Sequence, residues 1–431
     1  MAGVKNEPYW WDLARPIPSP ATDLPKSADV VVVGSGYTGL SAALVLARAG
    51  RKVVVLDKED PGHGASRRNA GYLGRTLKKS FPALLESHGE AYATAVYREL
   101  DAALQYTRAL IKDENIQCHI AQPGRFVGAT SQAHYDAMAK DYEITRRHMG
   151  FDFHLVSRAE QRQELATDRY YGGVVIPDLG SLHPGLYHLG LLDRALAAGV
   201  QVLGQTEVLG SRRDKSAIDV ATTQGNIAAE NLVIATNGYT PRQFPWHARR
   251  VIPFIGYMAA TEILPDELLR SSIPHRRTVI DSNLNIDFVR PAPDTARILI
   301  GGSTGSKLPT TGAIADRLHQ IMGRVLPALK DVNFSHVWSG QCAGTFDMMP
   351  HIGGRDGIWY GLGYNFAGVP MGTYFGKLIA AQILGRKDGQ SIFGGEKVPT
   401  MPFYTGNPWF VPYAMRYFDW QDERIARRGN R

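Results

Sequence analysis

The stretch DVVVVGSGYTGLSAALVLARAGRKVVVLDK, residues 29–58, is the most informative part of the chain. Four valines precede Gly34, as in a strand buried on both faces, and a helical pattern and a second apolar run follow. Gly34 permits a tight turn, Gly36 leaves room for a pyrophosphate, and Gly39 allows close packing of helix on strand. Asp57 ends the second strand, 18 residues after Gly39, where a carboxylate can bind ribose hydroxyls.

This stretch therefore predicts a dinucleotide site, in which free N–H groups of the first helical turn face the phosphates. A glycine-rich turn without a ligand would leave Asp57 unexplained. The cofactor-binding residues predicted from this stretch are Gly34, Gly36, Tyr37, Thr38, Gly39, Asp57 and Lys58.

Length and composition exclude several classes of protein. A chain of 431 residues is too long for one small core and predicts two intertwined domains. The chain has two cysteines, Cys118 and Cys342, which allow neither a disulfide framework nor a zinc cluster. We therefore expect no bound metal, and we expect the protein in the reducing cytoplasm. No apolar run reaches the roughly 18 residues that a membrane span needs. The net charge of +7 is scattered, which is more typical of a solvated surface than of nucleic-acid binding.

The order of apolar patterns predicts a nucleotide domain with a second domain inserted into it. Helices are expected at 88–115, 131–149, 184–198 and 312–326, and strands at 116–130, 173–178, 200–208, 217–223 and 232–236. The basic end of the chain, 424–431, is expected to be frayed. The predicted segments are an N-terminal arm at 1–28, nucleotide-domain parts at 29–105, 173–249 and 338–395, second-domain parts at 106–172 and 250–337, and a C-terminal tail at 396–431.

Three further segments carry a resemblance to a known family. The loop GASRRNAG at 64–71 has short hydrogen-bonding side chains, a charge for phosphates at Arg68, and a glycine that permits close approach to a flat ring. The apolar run LVIATNG ends in a turn at 235–238, and GLGYNFAGVPMG at 361–372 opens a late helix. With the first stretch, these segments resemble the FAD-dependent amine and amino-acid oxidoreductases of the D-amino acid oxidase family.

The resemblance implies an α/β fold, a Rossmann-type FAD-binding domain with an inserted antiparallel-sheet substrate domain. It also implies FAD rather than NAD, because the late glycine-rich turn would lie under the pyrimidine edge of the flavin. Backbone N–H groups and the helix dipole there favour the negative charge of reduced flavin. The residues that it adds to the FAD site are Gly64, Ala65, Ser66, Arg68, Asn69, Ala70, Gly71, Tyr72, Val208, Thr236, Asn237, Gly238, Gly340, Gly363, Asn365, Phe366, Ala367, Gly368, Val369 and Pro370. Val208 fits ordinary strand core about as well.

The substrate side departs from the amino-acid oxidases of that family. Where they read W-x-G-x-R-P, this chain has Trp338-Ser-Gly-Gln-Cys342-Ala343, so an arginine that holds a substrate carboxylate is missing. Arg290 could supply one bidentate partner, or it could form an interdomain salt bridge. The resemblance therefore points to an amine rather than to a simple α-amino acid. Arg290, Tyr257, His351 and His183 are the candidate catalytic residues.

The implied reaction is the FAD-dependent oxidation of a small primary or secondary amine, such as a polyamine or a γ-glutamylputrescine-like compound. Oxygen is the expected acceptor, giving hydrogen peroxide. The alternatives are a dehydrogenase that passes electrons to a quinone or carrier, and a non-enzymatic FAD-binding protein. Non-covalent FAD is favoured over a tether at Cys342 or His63. The sequence does not determine the oligomeric state.

Overall fold

The computed structural model describes residues 3–19, 22–214, 217–305, 308–395 and 397–429. Its helices are α1 (Trp11–Ala14), α2 (Tyr37–Arg48), α3 (Phe81–His88), α4 (Glu90–Asp113), α5 (Gln132–Met149), α6 (Pro184–Ala197), α7 (Pro245–Ala248), α8 (Asp266–Ser272), α9 (Thr311–Val325), α10 (Gly368–Ile383) and α11 (Val411–Gly429). Its strands are β1 (Ser27–Val33), β2 (Val53–Leu56), β3 (Tyr72–Leu73), β4 (Arg125–Gly128), β5 (His154–Val156), β6 (Gly173–Ile176), β7 (Gly180–Ser181), β8 (Gln201–Leu203), β9 (Val208–Asp214), β10 (Ala217–Thr222), β11 (Gly225–Ile234), β12 (Ile252–Thr261), β13 (Thr278–Asp281), β14 (Phe288–Pro291), β15 (Ile298–Gly305), β16 (Phe334–Gly344), β17 (His351–Arg355) and β18 (Ile358–Leu362).

The first sheet is built around the glycine-rich turn. Strands β18, β11, β1, β2 and β8 run parallel in that order, and β17 lies antiparallel at one edge. The valines of β1 are buried, as expected for a central parallel strand covered on both faces. Helix α2 packs against α10 and α6. The contact with α10 is close because a Cβ at Gly376 would lie only 2.4 Å from the carbonyl oxygen of Thr38.

The second sheet has the order β16-β12-β15-β14-β13-β4-β6-β5 and is antiparallel except between β13 and β4. Since side chains alternate along a strand, the register divides it into two faces. Tyr257 and Ile300 pack with helix α9 on what we call the outer face. Met258 and Trp338, which are paired across β12 and β16, pack with Ala70 on the inner face. The inner face is therefore directed toward the glycine-rich loop at 64–71.

The N-terminal arm lies on the body of the protein. Trp10 is completely buried, and its indole N–H donates to the Asn69 carbonyl oxygen at 2.9 Å. Within the described residues, no helix combines the length and apolar character that crossing a bilayer requires.

Most expected elements are present, and three expectations need correction. Only β4 forms within 116–130, because Pro123-Gly124 interrupts the run. The run at 200–208 is divided into β8 and the start of β9 by a turn. The expected frayed end is wrong as far as Gly429, because residues 424–429 continue helix α11; residues 430 and 431 lie outside the described residues.

The division of the chain into domains stays a proposal. Two strands belong to a different sheet from the one that the predicted domain boundaries assign to them. Strand β6 belongs to the second sheet, although the sequence placed 173–249 in the nucleotide domain. Strand β16 continues in that sheet as far as Gly344, beyond the expected boundary at 338. Both strands pair with strands of the second sheet. The apolar pattern of a strand does not identify the strand with which it pairs, so the sequence did not predict this.

Candidate functional site

Four strand ends, from three of the segments singled out in the sequence, meet at one edge of the first sheet. Gly34 follows β1, Asp57 follows β2, the turn at 235–238 follows β11, and Gly363 follows β18. Because these strands are parallel, their carboxyl ends share an edge, which is where open α/β sheets bind ligands. The backbone joins them: the Gly34 N–H donates to the Leu56 carbonyl at 2.8 Å, and the Ala235 N–H to the Val33 carbonyl at 2.9 Å.

The glycines of the first turn have the geometry that their roles require. Gly34 has a φ of +102°, which residues with a side chain rarely adopt. A Cβ at Gly39 would lie 2.0 Å from the Gly34 carbonyl oxygen, so only glycine allows α2 to begin there. A Cβ at Gly36 would lie 2.9 Å from Ser66 Oγ. This close approach leaves a narrow cradle between the start of α2 and the 64–71 loop.

The loop at 64–71 forms the other side of the cradle. The N–H of Tyr37, at the start of α2, donates to Ser66 Oγ at 3.1 Å, and the Tyr37 hydroxyl donates to the Ser66 carbonyl at 2.5 Å. Asn69 holds the loop closed, since its side-chain amide donates to the Ala65 carbonyl at 3.0 Å and its oxygen accepts the Gly71 N–H at 2.8 Å. Ser66 thus stands where a phosphate oxygen could replace the Tyr37 contact.

Arg68 links this loop to the second sheet. Its guanidinium donates to the carbonyl oxygens of His63, at 2.7 Å, and Ser339, at 3.1 Å. A Cβ at Gly340 would lie 3.3 Å from Arg68 Cβ, so β16 approaches the loop closely there. Gly64, Ala70 and Gly71 lie along the same loop, which ends in Tyr72, whose hydroxyl donates to the Val279 and Val289 carbonyls.

Asp57 lies beside the first turn. Its Oδ2 accepts the N–H and the hydroxyl of Ser35, at 2.9 and 2.6 Å. Lys58 follows it and is exposed. Val208 is buried in the apolar cluster of the first sheet, so its side chain is core, and only its backbone remains for the predicted contact with FAD.

The turn before α10 is strained in the way that ligand-binding turns often are. Asn365 and Phe366 both have positive φ, +44° and +75°, and a bulky residue rarely adopts such a conformation. Asn237, also at positive φ, accepts the Gly363 N–H on its side-chain oxygen at 2.9 Å. The Thr38 and Tyr364 hydroxyls are 2.6 Å apart. These contacts bring the turns at 235–238 and 363–370, with Thr236, Gly238, Ala367, Gly368, Val369 and Pro370, to the start of α2.

The catalytic candidates are not gathered in one place. Tyr257 lies on the outer face, where its hydroxyl accepts the Leu308 N–H at 2.7 Å, so it is turned away from the glycine-rich loop. His351 is buried on β17 with Nε2 3.0 Å from Asp347. His183 caps α6 through Nδ1, which accepts the Leu186 N–H at 3.1 Å. Burial and the nearby Arg290 and His119 lower the pKa of His183 to about 3, so its ring is neutral.

Arg290 is the candidate whose surroundings are most informative. It is 1% exposed, and its guanidinium donates to the carbonyl oxygens of Ala70 (2.7 Å), Leu182 (2.9 Å) and Pro291 (3.2 Å). Burial lowers the pKa of Arg290 to about 10. Its role as a substrate-carboxylate partner stays a prediction, but the contacts describe a residue that positions the 64–71 loop.

We expect Arg290→Ala to destabilise the protein by about 3–5 kcal/mol, because it leaves buried carbonyls unpaired and a cavity behind. Urea unfolding of the flavin-loaded protein measures this loss. Arg242→Ala, at an exposed arginine, is the control and should change stability by less than about 0.5 kcal/mol. A stable Arg290→Ala variant with a selectively raised KM for acidic amines would instead assign Arg290 to the substrate.

The two candidates for a covalent tether differ in position. Cys342 is on the inner face opposite Phe254, and burial raises the pKa of its thiol to about 11. A thiol of this kind is a poor nucleophile at neutral pH. His63 lies beside Trp11, with ring centroids 5.5 Å apart, and burial lowers its pKa.

Two buried residues were missed by the sequence reasoning. Arg67 is fully buried within the 64–71 loop and donates to His188 Nδ1 at 2.9 Å and to the Ala14 carbonyl at 2.9 Å. The other ring nitrogen of His188 lies 2.7 Å from the Ser35 carbonyl. This network joins the N-terminal arm, the loop and the first turn. The tandem arginines at 67 and 68 were visible in the sequence, but nothing there showed which one is buried.

The arrangement fits a dinucleotide with two phosphates and a flat ring. A Cβ at Gly36 would push Ser66 Oγ aside, Ser66 and the first turn of α2 offer donors to phosphate, and the strained turn at 363–366 lies at the same edge. The residues present therefore fit FAD, which when bound supplies redox chemistry that side chains lack.

Comparisons with known proteins agree with this geometry. The chain is 30% identical over 390 residues to the gamma-glutamylputrescine oxidoreductase of Escherichia coli (strain K12), with 90% of each chain covered. It is 26% identical over 375 residues to the glycine oxidase of Geobacillus kaustophilus (strain HTA426), with 84% of this chain and 93% of that one covered.

Solved structures share the fold. The crystal structure of glycine oxidase from Geobacillus kaustophilus matches with a TM-score of 0.71 at 22% identity, covering 84% of this chain and 96% of that one. The crystal structure of L-proline dehydrogenase from P. horikoshii also matches with a TM-score of 0.71, at 19% identity, covering 91% of this chain and 99% of that one. The expected mixed α/β fold is thereby confirmed. The model of one family, DAO: FAD dependent oxidoreductase, matches residues 29–382, and the chain belongs to this family of FAD-dependent oxidoreductases.

Proposed function

We propose that this protein oxidises a primary or secondary amine, of the polyamine or γ-glutamylputrescine type, rather than a simple α-amino acid. The observation that carries the proposal is the pair Cys342-Ala343, which stands where the resembling amino-acid oxidases have Arg-Pro. Cys342 lies on the inner face beside Gly256 and Phe254, and its neutral thiol offers a carboxylate no charge. The relative that acts on γ-glutamylputrescine supports the same substrate class.

FAD held between the first turn of α2 and the 64–71 loop would supply a two-electron acceptor for oxidation of the amine at the carbon that bears the nitrogen, with oxygen as the expected final oxidant, reduced to hydrogen peroxide. The resulting imine takes up water and releases an aldehyde or ketone with ammonia or an amine. The protein's part is to bind the amine in its neutral form against an apolar wall, which makes its lone pair available. No acid–base pair is required for this, and both histidine candidates have other contacts: His351 Nε2 lies 3.0 Å from Asp347, and His183 Nδ1 caps α6.

Product analysis tests the type of reaction. Holoenzyme incubated in air with putrescine or γ-glutamylputrescine should give aldehyde and hydrogen peroxide in equal amounts. Aldehyde without peroxide, with activity that depends on an added dye or quinone, would replace the oxidase by the dehydrogenase alternative. Failure of every amine to yield aldehyde would contradict the proposal and leave a non-enzymatic FAD protein as the alternative.

We further propose that FAD is held without a covalent bond. Acid precipitation of the yellow protein should release all FAD into the supernatant, because the Cys342 thiol is protonated and His63 lies against Trp11 and Arg68. Absorbance of supernatant and pellet measures the division. Flavin that stays with the pellet and is lost in Cys342→Ser or His63→Ala would identify a tether. The cytoplasmic location inferred from cysteine content remains a prediction.

A further inference from the structure

A row of side chains leads from Cys342, on the inner face, to a lysine in the segment between β3 and α3. Cys342 is paired with Phe254 across β16 and β12. The Phe254 ring lies 5.3 Å from that of Phe366, in the strained turn before α10. The ammonium of Lys78 lies 5.0 Å from the centroid of the Phe366 ring. The cation therefore stands at the far end of the same surface, separated from Cys342 by two aromatic rings.

Lys78 is exposed, and its ammonium lies between the Leu284 carbonyl, at 3.3 Å, and the ring of Phe366. Solvent reaches its side chain, and Phe366 and Leu284 beside it are also open, 46% and 45% exposed. Even so, the surrounding protein desolvates the ammonium enough to lower the pKa of Lys78, although Asp281 and Asp422 oppose this. Exposed apolar side chains next to one partly desolvated cation are suited to a ligand that has an apolar stem and an anionic end.

No carboxylate is committed to this lysine. Among the described residues, none places a carboxylate oxygen within 4.0 Å of Lys78 Nζ, whose one hydrogen bond, 3.3 Å long, is to the Leu284 carbonyl. The nearby Asp422 is occupied by the N–H groups of Leu284 and Asn285. Asp281 accepts the N–H groups of Asn283 and Asp287.

We propose that Lys78 binds an anionic group, a carboxylate, at the end of the substrate remote from the amine. The inference rests on the proposed function, since it names the feature by which this site would recognise a γ-glutamyl-type amine. It also explains how the enzyme could hold an acidic substrate although Arg290 is bonded to backbone carbonyls. The C-terminal helix α11 contributes indirectly, because Asp422 holds the 284–285 loop to which Lys78 donates.

Calorimetric titration of oxidised holoenzyme with glutarate and with its uncharged analogue glutaramide tests this without turnover. Lys78→Met should raise the Kd for glutarate roughly 10- to 100-fold and leave that for glutaramide unchanged, because one charge-assisted contact is lost. Lys78→Arg should restore most of the affinity. Lys79→Met, which removes the same charge one residue along the chain, should leave both Kd values at the wild-type level.

Retained flavin absorbance in each variant shows that the protein is folded. An unchanged glutarate Kd in Lys78→Met, an equal loss for glutaramide, or no saturable glutarate binding to the wild type would each overturn the proposal. Because the titration involves no oxidation, it can succeed although no amine is oxidised, and it can fail although amines are oxidised. The inference and the proposed function are thus tested separately.

Discussion

Gly36→Val is expected to abolish FAD binding while leaving a folded protein. A single Cβ at this position already lies 2.9 Å from Ser66 Oγ, and the two methyl groups of valine would fill the space that the pyrophosphate needs. Overpacking alone costs about 1–3 kcal/mol, to which the lost phosphate contacts add. Flavin content per protein, measured by absorbance after gel filtration, should fall from near one to near zero.

Gly210→Val is the matched control. Gly210 lies on β9 of the same sheet, and a Cβ there would meet nothing within 4 Å. This variant should keep full flavin content. A Gly36→Val protein with stoichiometric FAD would show that the cofactor does not lie between the start of α2 and the 64–71 loop, and the assignment of the first turn would then be wrong.

Amines whose carboxylate is remote or absent are expected to reduce the flavin at least about 100-fold more efficiently than glycine or D-alanine. An α-carboxylate would have to lie near the reacting carbon, which we place beside Cys342, where a neutral thiol and the Phe254 ring offer it no charge. Burying an underpaired carboxylate costs several kcal/mol, which corresponds to roughly two or more decades in kcat/KM. A remote carboxylate avoids this cost, and an uncharged tail avoids it as well.

A reciprocal variant strengthens the comparison. Cys342→Arg places a cation where the resembling amino-acid oxidases carry one. It should raise the efficiency of flavin reduction by glycine relative to that by putrescine. Cys342→Ser changes no charge and should leave the order of substrates as in the wild type. If both variants retain flavin and show identical substrate orders, position 342 does not determine the substrate class.

The sequence was sufficient to predict an FAD-dependent family because the signals for it are local, and the individual FAD-binding residues stay predictions. Gly34, Gly36 and Gly39 are spaced by the geometry of one turn, and the buried valines of β1 can form only a central strand. The late turn at 363–366 is likewise a short glycine-rich motif. Such patterns are decided by residues close together in the chain, so they can be identified without the tertiary structure.

The substrate side was harder to predict because it depends on which face of the second sheet a residue occupies. Tyr257 and Met258 are neighbours in the chain, yet one faces α9 and the other faces the 64–71 loop. Arg290 looked available for a carboxylate, and only the structure shows the carbonyls that it binds. Lys78 lies in a segment without a motif, and its significance comes from residues more than 200 positions away.

Anaerobic stopped-flow reduction of the holoenzyme tests the central claim most directly. Bleaching of the flavin absorbance would be followed with γ-glutamylputrescine, putrescine, sarcosine, glycine and D-alanine at matched concentrations. We predict that γ-glutamylputrescine or putrescine reduces the flavin fastest and that glycine and D-alanine are slower by about two decades or more. If glycine or D-alanine reduces it fastest, the interpretation of Cys342-Ala343 is contradicted, and the protein acts as an amino-acid oxidase.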